Sequence, residues 1–208
     1  MLVGHLGVGL IGKRVEPKIS LGTWMLAALL ADLIAFALVI LGIEHFAAIP
    51  GVTHNRMIGR DIVYRHSLLM DIVWGALFGA AYFARRNFRR GAYLLFGVVL
   101  SHWVLDVVSH RPDMALAPGT PTVFGLGLWN SVPLTIIFEG GLWLLAIVVY
   151  LRATKQRNRA SLYVFWSGVA LLTLAWWGNV NSGMDPNPVR AGTVGLIFFS
   201  SIVAWDTG

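Results

Sequence analysis

A chain of 208 residues that is 57% hydrophobic and 12% charged, with a mean hydropathy of +0.70, is not a water-soluble domain, since soluble domains carry about 25% charged residues. The formal charge of +6 does not mark a nucleic-acid binder, because the basic residues follow the alternation of a membrane topology. With no cysteine, disulfides and thiolate metal sites are excluded, so any metal must be held by His, Asp or Glu. The expected fold is all-α, a polytopic transmembrane bundle of about six spans plus a short N-terminal half-helix. It forms a single membrane domain over residues 1–208, with the bilayer as its partner.

Residues 1–12, Met-Leu-Val-Gly-His-Leu-Gly-Val-Gly-Leu-Ile-Gly, come first. They lack the positive leader and cleavage site of a signal peptide. As a helix they reach about 18 Å, half a bilayer. With Lys13 at the surface, His5 lies near the midplane, and a half-helix with four glycines holds there only if packed in protein or lining a wet cavity. Six apolar runs follow, at 20–43, 66–84, 91–110, 133–151, 160–178 and 189–205. Each approaches the ~20 residues that cross ~30 Å of hydrocarbon, the last only marginally. The first run carries Asp32 near mid-depth. The second opens with His66 and has Asp71 one turn and a half further in. The third holds His102, Asp106 and His110; the fourth admits Glu139 from its other end.

Eleven positive residues (Lys13, Arg14, Lys18, Arg85, Arg86, Arg89, Arg90, Arg152, Lys155, Arg157 and Arg159) fall on one set of alternate connections, and five (Arg56, Arg60, Arg65, Arg111 and Arg190) on the other. The positive-inside rule places the eleven, and both termini, in the cytoplasm. Loops 44–65, 111–132 and 179–188 then face outward.

In Ser101-His-Trp-Val-Leu-Asp-Val-Val-Ser-His110, three ionisable side chains recur one helical turn apart inside a span. A charge near the bilayer centre costs roughly 2.5–3.5 kcal/mol on insertion scales, so such residues face the bundle interior and mark a site or pathway. His102 and Asp106 can reach one small cation, as can Asp106 and His110, but the outer pair lies about 12 Å apart along the axis. His5, Asp32, His66, His102 and Asp106 together form a mixed N/O set for one divalent metal with an open position, or for two metals sharing Asp106. Such a set suits zinc foremost, with manganese or iron as alternatives. Glu139 or His110 is placed to act as catalytic acid or base.

These motifs resemble the YdjM-like family of membrane-bound metal-dependent hydrolases of the bacterial inner membrane. The likeness covers residues 1 to about 140, the part expected to carry the metal site, with 141–208 as accessory spans. Gly4-His5-Leu6, Leu29-Leu30-Ala31-Asp32 and His66-Ser67-Leu68 match three family elements. Ser101-His102-Trp103-Val104-Leu105-Asp106 matches the Ser-His-x-x-x-Asp signature. The resemblance implies hydrolysis of a phospholipid or another phosphoester. A rival class, a transporter or channel, would use the same residues to relay a cation or proton; a regulatory adaptor would need none of them.

Other segments read more plainly. Glu44, His45 and His54 are expected as a solvated loop, and Arg111-Pro112 as a helix stop, with Arg111 a candidate phosphate holder. Asp113 is placed to brace His110, and the glycine-rich stretch 118–129 to cover the mouth. Trp129, Trp176 and Trp177 are expected as interface anchors. No Gly-x-Ser-x-Gly occurs, which argues against a serine hydrolase.

Overall fold

Helix ends fall where local chemistry stops them. Ser20, Ser67 and Ser131 cap three helices, their hydroxyls accepting from the amides of Thr23, Met70 and Leu134. Asn87 closes another in the left-handed region, at φ 48°. Pro112 forces its neighbours out of helix, and His110 is already extended. The computed structural model describes residues 1–48, 57–60, 67–154, 159–182 and 187–205. Among them are seven helices: α1 (Leu2–Val15), α2 (Leu21–Ile40), α3 (Leu68–Arg86), α4 (Arg89–Ser109), α5 (Val132–Ala153), α6 (Arg159–Ser182) and α7 (Pro188–Trp205). Five of these, α2 to α6, are long and apolar enough to cross a membrane, and α7 adds the shorter apolar stretch Val189–Val203. The chain is an all-α integral membrane protein, as its composition requires. The strands among the described residues are two antiparallel pairs in connections, β1 (His45–Ala48) with β2 (Met57–Arg60) and β3 (Met114–Ala115) with β4 (Val123–Phe124).

The half-helix α1 is the centre of the bundle. Val3, Leu6 and Leu10 are buried, together with Met25 and Leu29 of α2 and Trp143, Ala146 and Ile147 of α5, in one apolar cluster. Its glycines make this possible. A Cβ at Gly12 would come within 2.5 Å of the Trp24 ring, and one at Gly7 within 3.2 Å of Ala146 Cβ. Where hydrophobic association is no longer available, such close backbone approach is what holds helices together. Of the two settings open to a glycine-rich half-helix, the chain uses burial in protein. The C-terminal spans also contribute to this core: α6 supplies Leu172, Trp176 and Val180, and Phe199 of α7 packs on Phe36 of α2.

α3 meets α4 along a single stripe. Ser67, Asp71, Gly75 and Gly79 recur every four residues and are the buried positions of this segment. Gly75 abuts Phe96 and Val99, and Gly79 abuts Ala92. The two helices are antiparallel, so continuing this register brings Asp71 level with His102 and Trp103. At the basic end, Arg90 lies 3.5 Å from Glu16, and the Lys18 ammonium sits over the Phe88 ring. The α1–α2 and α3–α4 turns, with their positive charges, therefore lie side by side.

At the opposite end the connection after α4 folds back over it. Leu126 N–H donates to the Val107 carbonyl and Gly127 N–H to that of His110. Gly125 is pressed against the Arg111 backbone, where a Cβ would collide. This stretch is a covering turn, as its glycines lead one to expect. It is also tied to the start of α3, through the Leu69 amide to the Leu116 carbonyl.

Candidate metal centre

The site is built around one carboxylate. Asp106, in the last turn of α4 and 1% exposed, turns both oxygens into the bundle. Its Oδ1 lies 3.0 Å from His5 Nε2 and 2.6 Å from the nitrogen of Met1. Its Oδ2 lies 3.3 Å from His102 Nε2 and 3.6 Å from His110 Nε2. His5 and His102 stack face to face with ring centroids 3.7 Å apart. Asp32 approaches from α2, with Oδ1 3.7 Å from His102 Nε2. Three histidines from two helices and a helix end thus converge on Asp106.

The far side of each ring decides what the near side presents. His102 Nδ1 lies 3.0 Å from the Ala28 carbonyl, which can only accept, so Nδ1 carries the hydrogen. His110 Nδ1 likewise donates to Asp113 Oδ1 at 3.0 Å, the brace expected from the sequence. In neutral rings both Nε2 atoms then direct lone pairs at the same carboxylate oxygen. Metal-ligating histidines are held in this way, by a carbonyl or carboxylate on the remote nitrogen.

His5, Asp32 and His102 each offer one ligand atom, all within 4.8 Å of one another, and could hold a metal ion. Two imidazoles and a carboxylate, with a further carboxylate adjoining, make a donor set that fits zinc or a similar borderline ion. The buried polar atoms agree with that fit: His5 Nδ1 and Glu139 Oε2 have no hydrogen-bond partner among the described residues. Asp106 adjoins this group, its two oxygens meeting His5 and His102 separately. His66, expected as a fifth ligand, lies outside the described residues, as does His54.

The second group of expected residues forms a wall. Glu139 of α5 is buried, and its Oε1 accepts from Trp129 Nε1 at 3.3 Å. The Trp129 ring in turn packs on His110, centroids 4.3 Å apart. Trp129 is therefore not an interface anchor; it links the two candidate acid–base residues. Trp176 is also buried, and of the three tryptophans only Trp177 is exposed. Arg111 Nε donates to Asn130 Oδ1 at 2.8 Å and so pins the covering turn.

Two residues depart from their plain reading. Glu44 is buried rather than solvated, while His45 next to it is exposed. Asp71 is fully buried at the level of His102. The spacing Asp71–Gly75–Gly79, small residues continuing an acid's stripe at helical period, is the signal that could have placed it on the buried face.

No family model, curated protein or solved structure matches the chain.

Proposed function

We propose that the chain is a membrane-embedded, metal-dependent hydrolase acting on a phospholipid or lipid-linked phosphoester. The observation that carries this reading is the pair of Nε2 atoms, on His102 and His110, aimed at Asp106 Oδ2. A lone pair facing a carboxylate repels it, so either a proton or a metal ion must lie between, and two such rings on one oxygen favour the metal. His5, Asp32, His102 and Asp106 would hold a divalent metal, with zinc the best match to the donors, and His66 is its fifth proposed ligand. A metal there supplies Lewis acidity toward a phosphoryl oxygen and lowers the pKa of bound water. Glu139 and His110 are the proton-handling groups, both positioned by Trp129, with Asp113 fixing the His110 ring. The likeness of the His5, Asp32 and Ser101–Asp106 elements to the YdjM-like hydrolases favours the same class.

The test separates an enzyme from a carrier. In detergent no gradient exists, so only an enzyme turns over. Purified protein is expected to hydrolyse at least one member of a panel of phospholipids and phosphoesters, and His110→Asn is expected to lower kcat about 100-fold or more, in the range of general acid–base catalysis. No turnover across the panel, with ion flux in liposomes, would replace this reading by a cation transporter.

The proposed setting is a bacterial inner membrane with both termini cytoplasmic, so that the mouth under the 110–131 turn opens outward. The adjacency of the two basic turns supports it. Cysteine introduced at Thr120 is expected to react with a membrane-impermeant thiol reagent in intact cells, and one at Arg86 to resist it. Both positions are exposed helix or turn sites, and they avoid the left-handed backbone of Asn87 and Gly119. The inverted labelling pattern would move the mouth to the cytoplasmic side.

A further inference from the structure

Helices α3 and α4 leave a groove of about 410 Å³ between them, a volume in the range of ligand-binding clefts. Small residues make its floor. Gly75 and Gly79 are buried where α3 touches α4, while Ala76 and Ala80, one position on, are exposed and give the trough its depth. Phe96 stands at the inner end. From Phe96 back to Arg89 is about 10 Å along α4, most of the ~15 Å depth of one leaflet of hydrocarbon. Phe96 also lies about 9 Å along the axis from His102, so the groove is separate from the metal centre.

The end at the basic surface has a different chemistry. Arg89 is the charged residue of the lining, and its guanidinium sits over the Phe83 ring, 6.0 Å from the centroid. Its neighbour Arg90 is engaged by Glu16, but Arg89 meets no carboxylate among the described residues. Helix α4 begins here without a side-chain cap, so its first amides add partial positive charge at the same surface. Tyr93, one turn further in and exposed, also lines the groove. Tyrosine suits this depth, where headgroup meets hydrocarbon.

An occupant must satisfy both parts, an apolar trough nearly a leaflet deep and a cation at its mouth. A neutral lipid leaves Arg89 without a counter-charge. A second copy packed on this face, in the same membrane orientation, brings basic end against basic end. We propose that the groove binds an anionic phospholipid, with an acyl chain along the Gly75–Ala80 floor and the phosphate at Arg89. The positive-inside rule puts that leaflet in the cytoplasm, where anionic headgroups gather basic segments.

The experiment is native mass spectrometry of the full-length protein in detergent micelles, titrated with dioleoyl phosphatidylglycerol or dioleoyl phosphatidylcholine. The first phosphatidylglycerol is expected to bind about fivefold tighter than the first phosphatidylcholine, the effect of one basic residue at an anionic surface. Arg89→Gln is expected to remove most of that preference. Arg152→Gln, an exposed change outside the groove lining, is expected to keep it. Ala80→Phe fills the trough and is expected to weaken the first phosphatidylglycerol at least fivefold. Leu77→Phe, exposed on the same helix but outside the groove, is expected to leave it unchanged. Equal first affinities for the two lipids would overturn the inference and leave ordinary lipid contact. So would a preference that survives Arg89→Gln, or first-lipid binding that survives Ala80→Phe. Full displacement of phosphatidylglycerol by soluble glycerol phosphate would reduce the site to a headgroup contact and overturn it too. Lipid-free dimers that dissociate in Ala80→Phe would assign the groove to a second copy of the chain instead.

Discussion

Asp106→Ala is expected to empty the centre. The substitution removes the group on which His5, His102 and His110 converge, leaving three imidazoles without the carboxylate between them. Loss of a mere supporting partner costs roughly 10–100-fold in metal affinity; loss of the central carboxylate is expected to exceed that. Purified Asp106→Ala protein analysed for metal is then expected at background, against near-stoichiometric content in the native chain. His102→Ala is expected to behave alike, since its Nε2 faces both Asp32 and Asp106. Native-like metal content in both variants would remove the basis for a metal centre here. The fold itself is expected to survive, because the apolar cluster around α1 involves neither residue.

Gly12→Val is expected to damage the same centre without touching a ligand. A Cβ at this position falls 2.5 Å from two ring carbons of Trp24, which is itself buried and cannot swing aside. Helix α1 must shift, and His5 lies on it about 10 Å away along the axis. Overpacking of this kind destabilises by about 1–3 kcal/mol, and displacement of His5 is expected to lower metal affinity by at least tenfold. Thermal unfolding in detergent and metal titration read the two effects separately. Gly141→Ala provides the control: nothing lies within 4 Å of its added Cβ, and neither quantity is expected to fall. A Gly12 variant with unaltered metal binding would mean that the seating of α1 does not hold the site together.

The two substitutions probe different things that the amino-acid sequence conveys. Span positions were legible because crossing a bilayer is a local requirement on length and apolarity. The run 91–110 became α4 at Arg89–Ser109, and the stop at Arg111-Pro112 ended it. The His102–Asp106–His110 ladder was legible for the same reason, since helical spacing is set by the backbone alone. Asp113 was within reach of His110 by its three-residue offset.

What the sequence could not convey was which face of each helix meets which neighbour. In water an apolar stripe reports the buried side, but lipid is as apolar as a protein core, so the stripe disappears. Helix α4 is apolar nearly all round, and α3 keeps most of its apolar residues on the outside. Hence only the packing of α1 between α2 and α5 decided that His5 stacks on His102, across 97 positions of sequence. Only the fold-back of the covering turn moved Trp129 from an expected membrane anchor onto His110 and Glu139. And only the antiparallel register of α3 on α4, set by Gly75 and Gly79, carried Asp71 to the level of His102, because small residues let backbones approach wherever lipid offers no hydrophobic drive.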